Sequence, residues 1–533
     1  MSTLDCRRRA RELLFAPVLV LAFLAATGCA TLQLDIHREA SLSYPKPESS
    51  SLWQEWAAPL AQHPGQSGFR LLPDGVDAFT TLSVLAERAE HTLDVQYYMI
   101  HTDDSGKLLI DRLLAAADRG VRVRVLIDDL YALESDRQVA ALDRHPNLEI
   151  RIFNPWHWRN NPVAIGVESL LDSGRINHRM HNKLFVADNA AMVMGGRNLG
   201  DEYFQLDPRL DFRDLDVFAV GPIVREASHV FDEFWNSKWA VPITGRRDLS
   251  PTDADLARIR AMLDSHREDM AQSHYARAVA SSPLARELAD GTVRLEYANA
   301  RIVADSPDKV RTAGTRMRSS FLFARFSDVM PQARTELLVS SPYFVPRHAG
   351  EKLLGDAVRR GVDVRVVTNS YLANDVPAVH SGYTPYRDEL LRAGVRLFEL
   401  KGEAAPATRE RVAERGFGSM NSSLHAKALV VDRRVVYIGS LNIDPRSILR
   451  NTEDGLVIDS PALAEQTARL LLRAMSPEAS YEVRLRTPTS THRLVWVTRE
   501  NGRDVTLDRE PGMTRWRRIK FWFLRLLPLE SQI

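Results

Sequence analysis

Two eight-residue stretches, "HNKLFVAD" from His181 and "HAKALVVD" from His425, set histidine, lysine and aspartate at the same spacing in two parts of one chain. Each runs on into a glycine-rich turn and an asparagine, Asn198 and Asn442, which stand 17 residues after their histidines (198 − 181 and 442 − 425). With 15 histidines and nine lysines in 533 residues, random placement yields about a quarter of one His-x-Lys pair. Two matched copies are therefore a duplication, and a duplication dictates two similar folding units.

The elements upstream repeat in the same order. "EHTLDVQYYMI", a strand by its alternation, leads into "LLAAADRGVRVRVLIDD", a helix stopped at Gly120 and a second strand. "RTELLVSSPYFVP" and "LGDAVRRGVDVRVVTNS", with its stop at Gly361, follow the same plan. The glycines are 241 residues apart (361 − 120) and the histidines 244 (425 − 181), so the copies stay in near register. Each half adds a further helix and short strand, "ALDRHPNLEIRIFNP" and "ELLRAGVRLFEL". Strands alternating with helices predict an α/β fold in two similar domains, each a mostly parallel sheet flanked by helices.

At 533 residues the chain exceeds one ordinary core. The expected division is a signal at 1–29, a tether at 30–67 that includes "YPKPESSS", a first domain at 68–250 and a helical connection at 251–315. A second domain at 316–480 and a C-terminal strand region with a basic amphipathic helix at 481–533 complete it. A net charge of +1 provides no global field for a polyanion, which argues against a nucleic-acid partner.

Before the tether, Arg7, Arg8, Arg9 and Arg11 precede an apolar run from Leu13 to Ala26, too short to span a bilayer. "AATGCATL" resembles a bacterial lipoprotein signal, which implies cleavage before Cys29 and acylation of its thiol. An ordinary signal peptide followed by a free cysteine is the alternative. With Ala30 next, the resemblance implies a cell-envelope protein lipid-anchored on the periplasmic side, at the outer membrane where there are two. Cys6 would leave with the signal, so the mature chain has no disulfide.

Residues two apart on a strand share a face, so His181 and Lys183 point to one side, as do His425 and Lys427. "LFVAD" and "ALVVD" read as buried strands ending in Asp188 and Asp432, structural anchors or simple turn residues.

These two His-x-Lys-x4-Asp motifs, with "GGRN" and "GSLN" after them, resemble the phospholipase D superfamily over most of residues 68–480. The resemblance implies one active site at the interface of the halves, with His181, Lys183, Asp188, His425, Lys427 and Asp432 as its catalytic set and no metal or cofactor. One histidine attacks phosphorus to give a phosphohistidine and the other protonates the leaving alcohol. By resemblance His181 is the nucleophile and His425 the acid, with the reverse assignment open. The same matching implies that Glu453, in "SLNIDPRSILRNTEDG", orients a catalytic histidine, with Asp214 of "FRDLDV" in the corresponding place; either could be a loop charge. Lys183, Lys427, Asn198 and Asn442 form a cationic, hydrogen-bonding cradle for charge growing on a phosphodiester. Ser440 is a further phosphate donor where the first copy has Gly196.

Within the superfamily, "HTLDVQYYMI", "ADRGVRVRVLIDD", "RMHNK", "GGRNLGDEYF" and "SLNIDPRS" are most similar to bacterial cardiolipin synthases of the C type, as is the ending "RWRRIKFWFLRLLPLESQI". That implies transfer of a phosphatidyl group between phospholipids, phosphatidylglycerol or phosphatidylethanolamine, at a membrane surface. A phospholipase D-type hydrolase of lipid or nucleic acid, and an inactive lipid-binding lipoprotein, are the alternatives. The basic and aromatic ending fits a helix lying in the headgroup layer or one docked on the protein's own core. The loops "NPWHWRNNPVAIGVESLLDSGRIN" and "KGEAAPATRERVAERGFGSMN" would flank the site, with Trp156 and Trp158 at its rim or in the core.

Overall fold

A computed structural model of the chain describes residues 36, 38–132, 136–159, 162–245, 249–311, 322, 329–403, 412, 419, 421–486, 494–514 and 516–517. The proposed signal with Cys29, most of the 401–421 loop and the tail beyond Arg517 lie outside the described residues.

The first half contributes β1 (Ser67–Leu72), β2 (Thr92–Tyr97), β3 (Arg122–Asp128), β4 (Leu148–Phe153), β5 (Lys183–Ala187), β6 (Ala191–Gly195), β7 (Asp211–Arg213), β8 (Asp216–Val220) and β9 (Ala240–Pro242). The second contributes β10 (Glu296–Ala304), β11 (Glu336–Ser340), β12 (Asp363–Asn369), β13 (Arg396–Leu400), β14 (Ser422–Leu424), β15 (Lys427–Val431), β16 (Val435–Gly439), β17 (Asp454–Asp459), β18 (Ser480–Leu485), β19 (Leu494–Glu500) and β20 (Arg503–Leu507).

Pairing puts the first half in the order β9-β4-β3-β2-β5-β6-β8-β1. The second repeats it as β10-β17-β16-β15-β11-β12-β13-β18, extended by β19 and β20. β1 and β10 then pair antiparallel, from Ser67 opposite Ala298 to Phe69 opposite Glu296, and join the halves into one 18-stranded sheet.

Within this sheet the parallel pairing predicted from the sequence is confined to β2-β3-β4 and β11-β12-β13, where helices make the crossovers. The other neighbours pair antiparallel, so the sheet is mixed. The motif itself is the cause. Only three residues separate β5 from β6 and β15 from β16, and a connection that short can only turn a strand back on itself. Helix Asp104–Asp118 begins at Asp103, whose carboxylate accepts from Gly106 N, and the chain turns out of it at Gly120 with φ 93°. Gly361 has the same φ after helix Arg347–Arg359, so both copies stop the helix with the same left-handed glycine.

The predicted tether at 30–67 is part of the fold from at least Ser41. Ser43 N donates to Asp232, and Arg122 and Arg124 donate to the carbonyls of Leu42 and Ser41. Ser50 caps helix Ser51–Ala61, which buries Leu52 and Trp56, one turn apart, in the first domain's core. The prolines and serines that read as linker are the start signal of this helix.

Residues of the connection pack on the first half. Helix Asp253–Ala271 opens on a reciprocal cap between Thr252 and Asp255, and Arg267 reaches Asp111 across the helix pair. A central apolar core is shared by both halves, with Phe231 and Trp235 of helix Pro222–Trp235 and Leu463 and Leu471 of helix Pro461–Ala474 in it.

Candidate active site

Lys183 opens β5 and Lys427 opens β15, at the sheet edge where β2-β3-β4 and β11-β12-β13 end. Each histidine stands two residues earlier, held by the other half. β14, leading to His425, pairs in parallel with β7, leading to Asp214, and His425 N donates to Arg213 O at 2.8 Å. Met180, before His181, bridges Thr452, before Glu453, and His181 N donates to Thr452 O at 2.8 Å. Each backbone bridge thus delivers a histidine to a carboxylate of the opposite half.

The side chains complete the exchange. His181 Nδ1 lies 2.7 Å from Glu453 Oε2, and His425 Nδ1 lies 2.5 Å from Asp214 Oδ2. An imidazole facing a carboxylate donates through Nδ1, which leaves Nε2 of each ring as the free lone pair. Lys183 Nζ donates to His181 O at 2.8 Å and Lys427 Nζ to His425 O at 2.5 Å. Both lysines are buried, and each lies in the field of both Glu453 and Asp214, so the two motifs form one site. Tyr98 meets the His181 ring edge-on at 5.0 Å, while Tyr203 and Phe212 flank His425 at 5.1 and 5.0 Å.

The supporting polar groups are buried around this centre. Asn198 Nδ2 donates to Tyr203 OH at 2.9 Å. The carboxamide oxygens of Asn198 and Asn442 have no protein partner among the described residues. Ser440 Oγ donates to Glu453 Oε2 at 2.6 Å, so its hydroxyl is directed to the carboxylate rather than the cradle. At Gly196, the corresponding position, a Cβ would overlap the Asp214 carboxylate. Serine with glutamate in one half and glycine with aspartate in the other are thus two fillings of one space.

Burial sets the electrostatics. It lowers Lys183 to about 7 against the pull of Glu453, and Lys427 to about 8 against Asp214. It pushes Glu453 up to about 7 against Lys183. Burial also pushes the Asp214 carboxyl up, but His425 and Lys427 more than offset this and hold it well below the usual carboxylate range. Burial and the two lysines hold His181 well below its ordinary value; burial and Lys427 lower His425 to about 4. Both rings are therefore neutral near pH 7, and the two lysines are roughly balanced by the two carboxylates.

Asp188 and Asp432, placed with the catalytic set by sequence, stand at the far ends of β5 and β15, roughly 17 Å along the strand from the lysines. Both are turn residues with φ of 53° and 51°. Asp188 accepts from the backbone N–H groups of Glu90, His91 and Thr92 at 3.0, 2.8 and 2.8 Å, which pins the start of β2. Asp432 accepts likewise from Arg334, Thr335 and Glu336 ahead of β11. The motif's aspartates are therefore anchors that fix the strand beside the histidine strand. Asp188→Ala is expected to destabilise the fold by about 2–4 kcal/mol, because three donors lose their acceptor. Turnover per folded molecule should stay within about twofold; urea unfolding with kcat measurement checks both.

Sequence reasoning passed over the aromatic walls Tyr98, Tyr203 and Phe212, and also Arg197 and Asp454. Arg197 pairs with Asp216 at 3.1 Å and donates to the carbonyls of Leu72 and Asp214. Asp454 faces Lys183 N at 3.3 Å. The available signal was a second acid beside each named one, "DLD" and "ED". Trp156 is a core residue, stacked under Arg179 and donating to Ser169.

Exposed large apolar side chains gather at this same sheet edge. Helix Pro162–Leu171, in the connection from β4 to the first motif, leaves Val163, Leu170 and Leu171 61%, 81% and 79% exposed. Leu130 after β3, and Leu372 and Val376 after β12, are exposed as well.

The chain matches the family described as cardiolipin synthase, PLD-like domain, over residues 82–235 and 327–475. It is 40% identical over 474 residues to cardiolipin synthase C of Escherichia coli (strain K12), across 88% of this chain and 97% of that one. To cardiolipin synthase A of Pseudomonas entomophila (strain L48) it is 29% identical over 427 residues, 80% of this chain and 71% of the relative. Its fold is similar to the crystal structure of phosphatidylserine synthase from Haemophilus influenzae Rd KW20, with a TM-score of 0.53 and 15% identity over 90% of this chain and 100% of that one. No helix of the described residues is long and apolar enough to cross a membrane.

Proposed function

Since this chain belongs to the cardiolipin synthase family of phospholipase D-like proteins, we propose that it is a phosphatidyltransferase making cardiolipin through a phosphohistidine. The observation that carries this reading is the pair of imidazoles, each with Nδ1 on a buried carboxylate of the opposite half and two buried lysines alongside.

In the first step Nε2 of His181 attacks the phosphorus of a phospholipid. The bond to the headgroup oxygen breaks, and His425 gives that oxygen its proton, releasing glycerol from phosphatidylglycerol or ethanolamine from phosphatidylethanolamine. His425, now neutral, takes the proton from the glycerol hydroxyl of a second phosphatidylglycerol. That oxygen attacks phosphorus, the N–P bond breaks and cardiolipin leaves. Lys183 and Lys427, with the carboxamides of Asn198 and Asn442, hold the charge on the equatorial oxygens.

The two carboxylates fit unequal roles. Asp214, ionised across the working range, stabilises an imidazolium on His425, as an acid requires. Glu453, when ionised, accepts the Nδ1 proton of a neutral His181 and so leaves Nε2 free. Burial and Lys427 lower the proton affinity of His425, and the negative charge of a bound phosphodiester would raise it.

The exposed leucines support a site that faces a lipid surface, since an apolar edge beside a phosphate cradle matches acyl chains beside headgroups. Leu170→Asp combined with Leu171→Asp is expected to weaken flotation with phosphatidylglycerol vesicles about tenfold or more, at unchanged melting temperature; unchanged flotation would remove this role. Acylation at Cys29 would add an anchor to the envelope membrane, which labelling with a palmitate analogue checks.

The function itself is tested by lipid mass spectrometry of the purified protein with vesicles of phosphatidylglycerol, with and without phosphatidylethanolamine. Cardiolipin establishes the transferase, phosphatidic acid assigns water as the acceptor, and no turnover overturns the reading.

A further inference from the structure

The loop that leaves β12 carries an acid that the reaction steps above do not use. Asn369, the last residue of β12, accepts from Leu424 N at 2.8 Å and donates to Leu424 O at 2.9 Å, so the loop starts beside His425. Further along it, Asp375 accepts from Tyr343 OH at 2.7 Å. Tyr343 comes just before Phe344, which bridges Ile443, the neighbour of Asn442. Its phenol also lies in the field of Tyr98 and Tyr203, the rings beside His181 and His425. The pair is thus fixed at the rim of the cradle from two strands.

The charges outside the two histidine and carboxylate pairs differ between the flanks. Arg446 acts on the His181 ring, whereas Glu202 and Asp375 act on Tyr203 beside His425. Lys427 lies in the field of Asp375 as well. Glu202 faces inward, 3.7 Å from His101 Nδ1. Asp375 is exposed, between the exposed Leu372 and Val376, and among the described residues no cation forms an ion pair with it.

An in-line displacement by His181 puts the leaving oxygen on the side of His425, which protonates it, so the donor's headgroup lies on this acidic flank. We infer that Asp375, held by Tyr343, reads that headgroup, pairing with the ammonium of phosphatidylethanolamine and favouring it as donor over the uncharged glycerol of phosphatidylglycerol. The inference rests on the phosphatidyltransferase reading and adds to it a residue that sets donor specificity. A carboxylate binds an ammonium through a charge-assisted hydrogen bond, stronger than the one it makes with a hydroxyl. Leu372 and Val376 place it where a lipid surface presents its headgroups.

The test uses vesicles of the two lipids in equal amounts and with the same acyl chains, their ethanolamine and glycerol headgroups separately labelled. Both donors leave the same phosphatidyl group on His181, so the ratio of released headgroups reports the first step alone. Wild type is expected to release mainly ethanolamine. In Asp375→Asn the ratio of ethanolamine to glycerol should fall roughly tenfold, the scale of one hydrogen bond to a charged group. Asp375→Lys should lower it further, and Asp375→Glu should restore it. A purely structural role would lower both releases together and leave the ratio unmoved. An unmoved ratio in Asp375→Asn and Asp375→Lys, or a wild type that favours glycerol, overturns the inference; a wild type that releases neither headgroup overturns the reading beneath it. Thermal melts confirm folding, and where the Asp375 variants fail to fold, Tyr343→Phe carries the same test: a fall in the ratio supports the pair and an unmoved ratio refutes it.

Discussion

His181→Ala is expected to abolish turnover, with a loss of roughly 10⁶-fold, the scale on which removing a covalent nucleophile acts. His425→Ala should lose less, roughly 10²- to 10⁴-fold, because it removes only proton transfer. A substrate with a p-nitrophenol headgroup separates the two, since that leaving group departs without a proton. With it His425→Ala should give a burst of p-nitrophenolate equal to the enzyme present and then stall, holding an acid-labile phosphohistidine on His181. His181→Ala should give no burst. A burst from His181→Ala and none from His425→Ala would reverse the assignment of the two histidines.

The second large effect is at the carboxylates. Asp214→Asn is expected to cost as much as His425→Ala, roughly 10²- to 10⁴-fold, because a carboxamide neither stabilises an imidazolium nor fixes the proton on Nδ1 of His425. Glu453 shapes the pH profile instead. Its raised carboxyl, at about 7, is ionised above that pH and accepts from His181 Nδ1. Below it the carboxyl is protonated and donates to Nδ1, which moves the ring proton to Nε2 and removes the nucleophile. Lys183 at about 7 and Lys427 at about 8 lose their charge as pH rises, and the cradle weakens. The profile of kcat/KM should therefore be a narrow bell with its maximum between about 7 and 8. In Glu453→Gln both limbs should move to lower pH, the acid limb because its carboxyl is gone and the alkaline limb because the two lysines lose the pull of that charge; an unmoved acid limb would detach it from Glu453.

Much of this site was legible because strand chemistry is local. The two-residue spacing of His181 and Lys183 fixes a shared face, and the repeat fixes two such faces without any tertiary knowledge. Which half serves which histidine was not legible. The partner of His181 lies 272 positions away, and nothing in "NTEDG" says across which bridge Glu453 will point. For the aspartates the strand reading, an anchor at the strand's end, and the motif reading, a member of the catalytic set, point to different places. A motif read as letters puts Asp188 with its lysine, whereas five strand residues carry it to the other end of the sheet. The tether was misread because serines and prolines that precede a short helix have the composition of a linker, and the burial of Leu52 and Trp56 depends on a core assembled from distant strands.

The exchange of carboxylates between halves also bears on how such a chain can diverge. In a symmetric dimer every substitution appears on both sides of the centre, so an acid suited to a proton donor is also forced on the nucleophile. Joined through β1 and β10 into one polypeptide, the halves are free of that constraint. Glycine with aspartate around one histidine and serine with glutamate around the other record the freedom used. Fusion turned a centre that substrate alone could make unequal into one whose inequality is inherited.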